Sequence, residues 1–108
     1  MKAKLDGKFI KQALDLVNAG YSATTLVRVT VKTGDDGVGE CGLQIWDRES
    51  VAQIVIPYLG EKDTLIDMLM HSAQLETLLT KTGATELHIQ EKEKSFVLKA
   101  NATKLSIP

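Results

Sequence analysis

A chain of 108 residues is long enough for one hydrophobic core and too short for two independent ones. Apolar residues at 44% and charged residues at 25% are the proportions of a soluble globular protein and argue against a disordered chain. Thirteen basic against fourteen acidic side chains leave a net charge of -1. That excludes a polybasic protein gripping nucleic acid by overall charge, and it leaves room for a local basic face.

No apolar run reaches the length that spans a bilayer, and Met1 to Asp6 lacks the apolar stretch of a signal peptide. The single Cys41 cannot form an internal disulfide. The expectation is a cytoplasmic protein with no membrane partner.

In chain order, Lys2 to Leu5 reads as a short strand, and Asp6 can cap a helix with apolar positions at Phe9, Ile10, Ala13, Leu14, Leu16 and Val17. Asn18-Ala19-Gly20 stops that helix. Leu26 to Val31 alternates and is rich in β-branched residues, Gly34-Asp35-Asp36-Gly37 signals a turn, and strands follow at Gly42 to Trp46 and Val51 to Ile56. The second half repeats the order. Thr64 to Met70 is a strand, and Ser72 can cap a helix with Leu75, Leu78 and Leu79 inward. That helix ends at Lys81-Thr82-Gly83. Strands at Glu86 to Gln90, Ser95 to Lys99 and Thr103 to Ile107 complete the half. Both halves close on Ile-Pro, at Ile56-Pro57 and Ile107-Pro108, where proline suits the point at which a strand leaves the sheet. The fold class is α+β: a duplicated β-α-β-β-β unit, with halves at about 1-57 and 58-108. Its two helices are expected to pack on one face of a single layer of antiparallel sheet, their polar sides together.

Four segments carry a resemblance to a known family. They are Met1 to Leu5 with Lys8 to Leu14, Leu43 to Glu49, Ala73 to Leu79, and Ser95 to Leu98 with Leu105 to Pro108. Together they make the chain similar to one domain of the bacterial sliding clamp, the beta subunit of DNA polymerase III. The resemblance implies a DNA-clamp fold, with three such domains per chain and two chains per ring. Helices would line the DNA and sheets would face outward. It further implies a non-enzymatic processivity factor in DNA replication that encircles duplex DNA without reading its sequence.

On that reading the DNA-facing residues are Lys8, Lys11, Gln12 and Lys81 on the helices, with Lys2 and Lys4 added from the first strand. Three lysines against Asp15 and Glu76 give each domain one net positive charge. That is too little to grip DNA tightly but enough for a polar lining that slides. The bland reading of the same residues is the solvated side of two amphipathic helices. Clamp rings close by pairing sheet edges, so Val51, Gln53 and Val55, together with Thr103, Leu105 and Ile107, are the expected association strands. Their partner would be a second copy or a replication protein. Clamps often carry a basic, proline-containing stretch after the first helix, whereas Tyr21 to Thr25 has neither charge nor proline. This favours an alternative: a protein-interaction or self-association module on the clamp fold, with no direct DNA binding.

The remaining reactive side chains fit no enzyme. Cys41 lies far from any basic cluster that would activate it, and His71 and His88 lack a second ligand at metal-binding spacing. Asp35-Asp36 lacks the further ligands of a calcium loop. No catalytic residue, cofactor or metal is expected, and no polar groups converge on a small-ligand pocket.

Overall fold

The computed structural model describes residues 1–16, 25–46, 51–83 and 85–108. The elements are β1 (Lys2–Asp6), α1 (Gly7–Leu16), β2 (Leu26–Thr33), β3 (Val38–Trp46), β4 (Val51–Leu59), β5 (Leu65–His71), α2 (Ser72–Thr82), β6 (Glu86–Glu91), β7 (Phe96–Ala100) and β8 (Thr103–Ile107). The order β-α-β-β-β occurs twice, as the periodicities imply. The expected helix stop at Asn18 to Gly20, the Tyr21 to Thr24 stretch and the Asp47 to Glu49 segment lie outside the described residues.

The single sheet layer resolves into two four-stranded antiparallel sheets, ordered β1-β6-β7-β8 and β4-β3-β2-β5. Each half donates its first strand to the other half's sheet: β1 pairs with β6 from Lys2↔Gln90 to Asp6↔Glu86, and β5 pairs with β2 from Leu26↔His71 to Lys32↔Leu65. Exchanging the halves maps one sheet order onto the other. The two seams carry equivalent ion pairs, Lys4–Glu86 at 3.2 Å on one and Arg28–Asp67 on the other, where Arg28 Nε also donates to Asp67 Oδ1 at 2.7 Å.

Strict alternation decides what is inside. Ala3 and Leu5 on β1, Val27, Val29 and Val31 on β2, Ile66, Met68 and Met70 on β5, and Leu87 and Ile89 on β6 are buried. With Ile10, Ala13 and Leu14 of α1 and Leu75, Leu78 and Leu79 of α2, they form one core shared by both sheets and both helices. Cys41 lies in this core, and burial pushes its thiol up to about 11, which fits a packing role.

Helix ends follow local chemistry. Asp6 caps α1 as expected, its Oδ1 accepting from Lys8 N at 2.9 Å and Phe9 N at 3.2 Å. At α2 the expected cap shifts by one. His71 is the N-cap, in extended backbone and without a side-chain cap bond, while Ser72 is already helical and buried. The Ser72 amide instead donates to Thr25 O at 3.0 Å, tying the helix start to the residue that precedes β2. Gly83 ends α2 in the left-handed conformation (φ 62), its amide donating to Leu79 O.

Pro57 corrects a second expectation. It does not end β4, which runs on to Leu59 with Pro57 opposite Glu40. An edge strand tolerates a missing amide if that amide would have pointed outward, and β4 is an edge. β3 likewise starts earlier than expected, at Val38, because Gly39 allows β2 and β3 to approach closely: a Cβ there would lie 1.7 Å from Lys32 O. Beyond that point, buried Thr33 and Thr64 bind the β2–β3 and β4–β5 connections through Thr33 Oγ1, which donates to Glu61 O (2.6 Å) and accepts from Thr64 N (2.8 Å).

The exchanged strands predict that neither half folds alone. Fragments 1–60 and 61–108 should each give the circular dichroism of an unfolded chain, and an equimolar mixture should regain the β and helical signal of the whole. A fragment that folds by itself would contradict the exchange. The seam pair sets a pH dependence as well. The hydrogen bond and charge of Arg28 hold the Asp67 carboxyl below its usual range. Its contribution is therefore present at neutral pH and is lost as pH falls through that lowered range. Asp67→Asn should lower the urea midpoint at pH 7, only slightly because both partners are solvent-exposed, and the difference from the wild type should shrink as pH falls through the lowered range.

Candidate nucleic-acid interface

The helix layer follows from the amphipathic pattern of α1 and α2. Burying Ile10, Ala13 and Leu14 turns Lys8, Gln12 and Asp15 outward, with Lys11 half-buried. Burying Leu75, Leu78 and Leu79 turns Gln74, Thr77 and Lys81 outward. The two helices contact one another, so these side chains belong to one polar surface. Glu76 is half-buried within α2, and its Oε2 is buried without a hydrogen-bond partner. A carboxylate oxygen in that state costs stability and subtracts from the positive charge of the layer.

Lys8, Lys11, Gln12 and Lys81 are thus on the helix layer, and Lys2 and Lys4 are not. Ala3 and Leu5 are the inward residues of β1, so the period of two places Lys2 and Lys4 on the face turned away from the core and the helices. There Lys4 pairs with Glu86. Grouping all six as one surface treats a strand as though it had a helix's geometry.

The association strands occupy outer positions, β4 ending one sheet and β8 the other. Their side chains point in opposite senses. Val51, Gln53 and Val55 stand on the outer face of their sheet, Val51 being 71% exposed. Thr103, Leu105 and Ile107 turn toward the helices, with Ile107 buried and Leu105 half-buried. Leu105 and Leu78 line an open, mainly apolar groove of about 400 Å³ between α2 and β8, with Lys81 and Lys104 among its polar residues. The other two edges are partly covered. Lys4 N of β1 donates to Tyr58 Oη at 3.2 Å, and Leu65 N of β5 lies 3.2 Å from Met1 Sδ.

One feature of this surface is absent from the hydrophobic pattern alone. Val38, Val55, Leu59 and Leu69 are also exposed, and all lie on the outer face of the β4-β3-β2-β5 sheet. Register, which only the fold reveals, gathers these scattered residues. His71 and His88 fall on the outer faces of different sheets, and no cluster of three metal-ligating side chains occurs among the described residues. Among the described residues no helix is long and apolar enough to cross a membrane.

No protein-family model matches the sequence, and no curated protein matches it. Solved structures do. The Helicobacter pylori beta clamp bound to a DNA ligase peptide superimposes with a TM-score of 0.73 at 14% identity, covering 100% of this chain and 30% of that one. The DNA polymerase III beta subunit of Pseudomonas aeruginosa gives 0.73 at 13% identity, covering 99% and 29%. The sliding clamp of Caulobacter crescentus gives 0.67 at 14% identity, covering 98% and 28%. This chain therefore spans about three tenths of the length of each of these proteins. Its fold is that of a sliding-clamp-like domain, similar along its whole length to a part of the bacterial DNA polymerase III beta subunit.

Proposed function

We propose that this chain is a non-enzymatic, sliding-clamp-like module of DNA replication. It associates through its sheet edges and presents its helix layer to duplex DNA without reading sequence. The observation that carries this is a clamp-type domain along the whole chain in which β4 and β8, at equivalent places in the two halves, are both open edges. The mechanism is topological and electrostatic. Lys8, Lys11 and Lys81 against Asp15 and Glu76 leave a weakly positive layer, too weak to hold phosphates tightly and therefore compatible with sliding once the duplex is enclosed. Pairing at β8 would cover the apolar groove beside Leu105. Copies of the chain, or another replication protein, would complete the circle.

Two measurements test it. Mass in solution should show an oligomer, and the protein should be retained on closed circular DNA more than on linear DNA of the same length. A monomer at high concentration without salt-dependent DNA retention would refute the proposal. Glu76→Gln should raise stability by about 1 kcal/mol, because a neutral amide is cheaper to bury than an unpartnered carboxylate. It should also strengthen retention, by removing a negative charge from the layer.

A second reading is favoured by the exposed apolar side chains on the outer face of the β4-β3-β2-β5 sheet. Leu59 is 77% exposed, and Val51 shares that face. Exposed apolar surface of this kind marks protein contacts. In that reading the domain binds a replication protein and has no DNA role. Val38→Glu with Leu69→Glu, on the same face but off β4 and β8, should then abolish capture of a clamp or polymerase subunit from nuclease-treated lysate, whereas the edge-paired DNA function would be indifferent to both.

A further inference from the structure

The outer face of the β1-β6-β7-β8 sheet carries a charge pattern that the helix-layer reading does not use. Register sets Lys4, His88, Lys99 and Lys104 side by side across all four strands, with neighbouring strands about 4.8 Å apart. Lys2, Lys92, Lys99 and Lys104 line a hollow of about 660 Å³ on this face. Among the described residues the one acid lining it is Glu86, which is already engaged by Lys4 at 3.2 Å. A chain of net charge -1 thus concentrates lysines on one sheet face. Moreover, Lys99 and Lys104 are directly opposite each other on antiparallel strands. Like charges so placed repel and weaken the sheet, and an anion lying across the row would relieve that repulsion.

We propose that this face binds the phosphate backbone of a nucleic acid, at a site separate from the helix layer. The choice of occupant follows from the side chains present. Val97 is the one apolar residue lining the hollow that is not buried in the core, so a protein partner would find no anchor of the kind that dominates protein interfaces. Phe, Tyr and Trp are missing from its lining and the His88 imidazole is the one ring a base could stack on, so stacking supplies little of the binding. What remains is charge complementarity between lysine ammonium groups and phosphates, which positions a nucleic acid without reading its sequence. Because Lys2 and Lys4 point away from the helices, binding here requires no ring.

Fluorescence anisotropy with labelled single-stranded and duplex DNA, across a salt series, tests the assignment. Lys99→Glu with Lys104→Glu should weaken binding at least tenfold at low salt and reduce the slope of log K against log salt by about 2 for the duplex. The helix-layer pair Lys8→Glu with Lys81→Glu should change the same binding much less, so failure of this site and failure of the helix-layer reading give different results. Lys104→Glu alone should raise the melting temperature, by placing opposite charges across the strands, while it lowers affinity. That combination excludes unfolding as the cause of lost binding. The proposal is overturned if the wild-type chain shows no salt-sensitive binding or if the Lys99 and Lys104 variants bind as the wild type does. It is also overturned if polyglutamate displaces DNA at equal charge concentration, since the face would then suit an acidic protein.

Discussion

The exchange of first strands between halves governs the rest of this fold. β1 has no partner within its own half and pairs only with β6, and β5 pairs only with β2. Neither three-strand unit can therefore complete its sheet without the other half, and the buried sides of both helices belong to one core. The cost of ordering the chain is met once, cooperatively, because contacts across the seams are long-range in sequence. The exposed ion pairs on the seams, Lys4–Glu86 and Arg28–Asp67, add little energy; their use is in register, since a one-residue slip would set each charge on the wrong face.

How much of this is legible in the sequence depends on the range of the interaction. Element types are local. The alternation in Leu26 to Val31 and the helical stripe from Phe9 to Leu14 mark strand and helix without reference to anything distant. The Asp6 cap and the Gly83 stop are local too, and both hold. Strand exchange is not local, because nothing in Lys2 to Asp6 says whether β1 pairs with β2 or with β6. Pro57 shows the same limit: proline marks an open edge equally well inside a strand and at its end. At α2 a tertiary bond from the Ser72 amide to Thr25 O moves the cap to His71. Of the candidate interface, the helix lysines are readable from the 3.6-residue period. The lysine-bearing row on the other face is not. Lys4, His88, Lys99 and Lys104 are scattered along the chain and become neighbours only through register.

Charge in this protein is therefore informative by face and not by sum. The helix layer is weakly positive and is diluted by Glu76, one sheet face is lysine-rich, and the other sheet face mixes exposed apolar side chains with balanced charges, Arg28 and Lys32 against Asp67 and Glu40. On the readings proposed above, the three surfaces would take three kinds of contact: a loosely held duplex, bound phosphates and a protein. A net charge of -1 averages them to nothing.

The four sheet edges are treated unequally, and the inequality bears on assembly. β1 and β5 are partly covered through Tyr58 and Met1, whereas among the described residues β4 and β8 are protected by Pro57 and Lys104 alone, single-residue devices on strands of nine and five residues. β4 and β8 also differ in what they present, Val51 and Val55 on an outer face in one case and Leu105 beside an apolar groove in the other. Pairing β4 of one copy with β8 of the next is a heterologous contact. Such contacts close into a ring when the rotation per copy divides a full turn and otherwise extend into a filament. If copies add through these two dissimilar, pseudo-symmetric edges, as proposed, the addition is head-to-tail, and the angle between the two sheets determines which outcome follows.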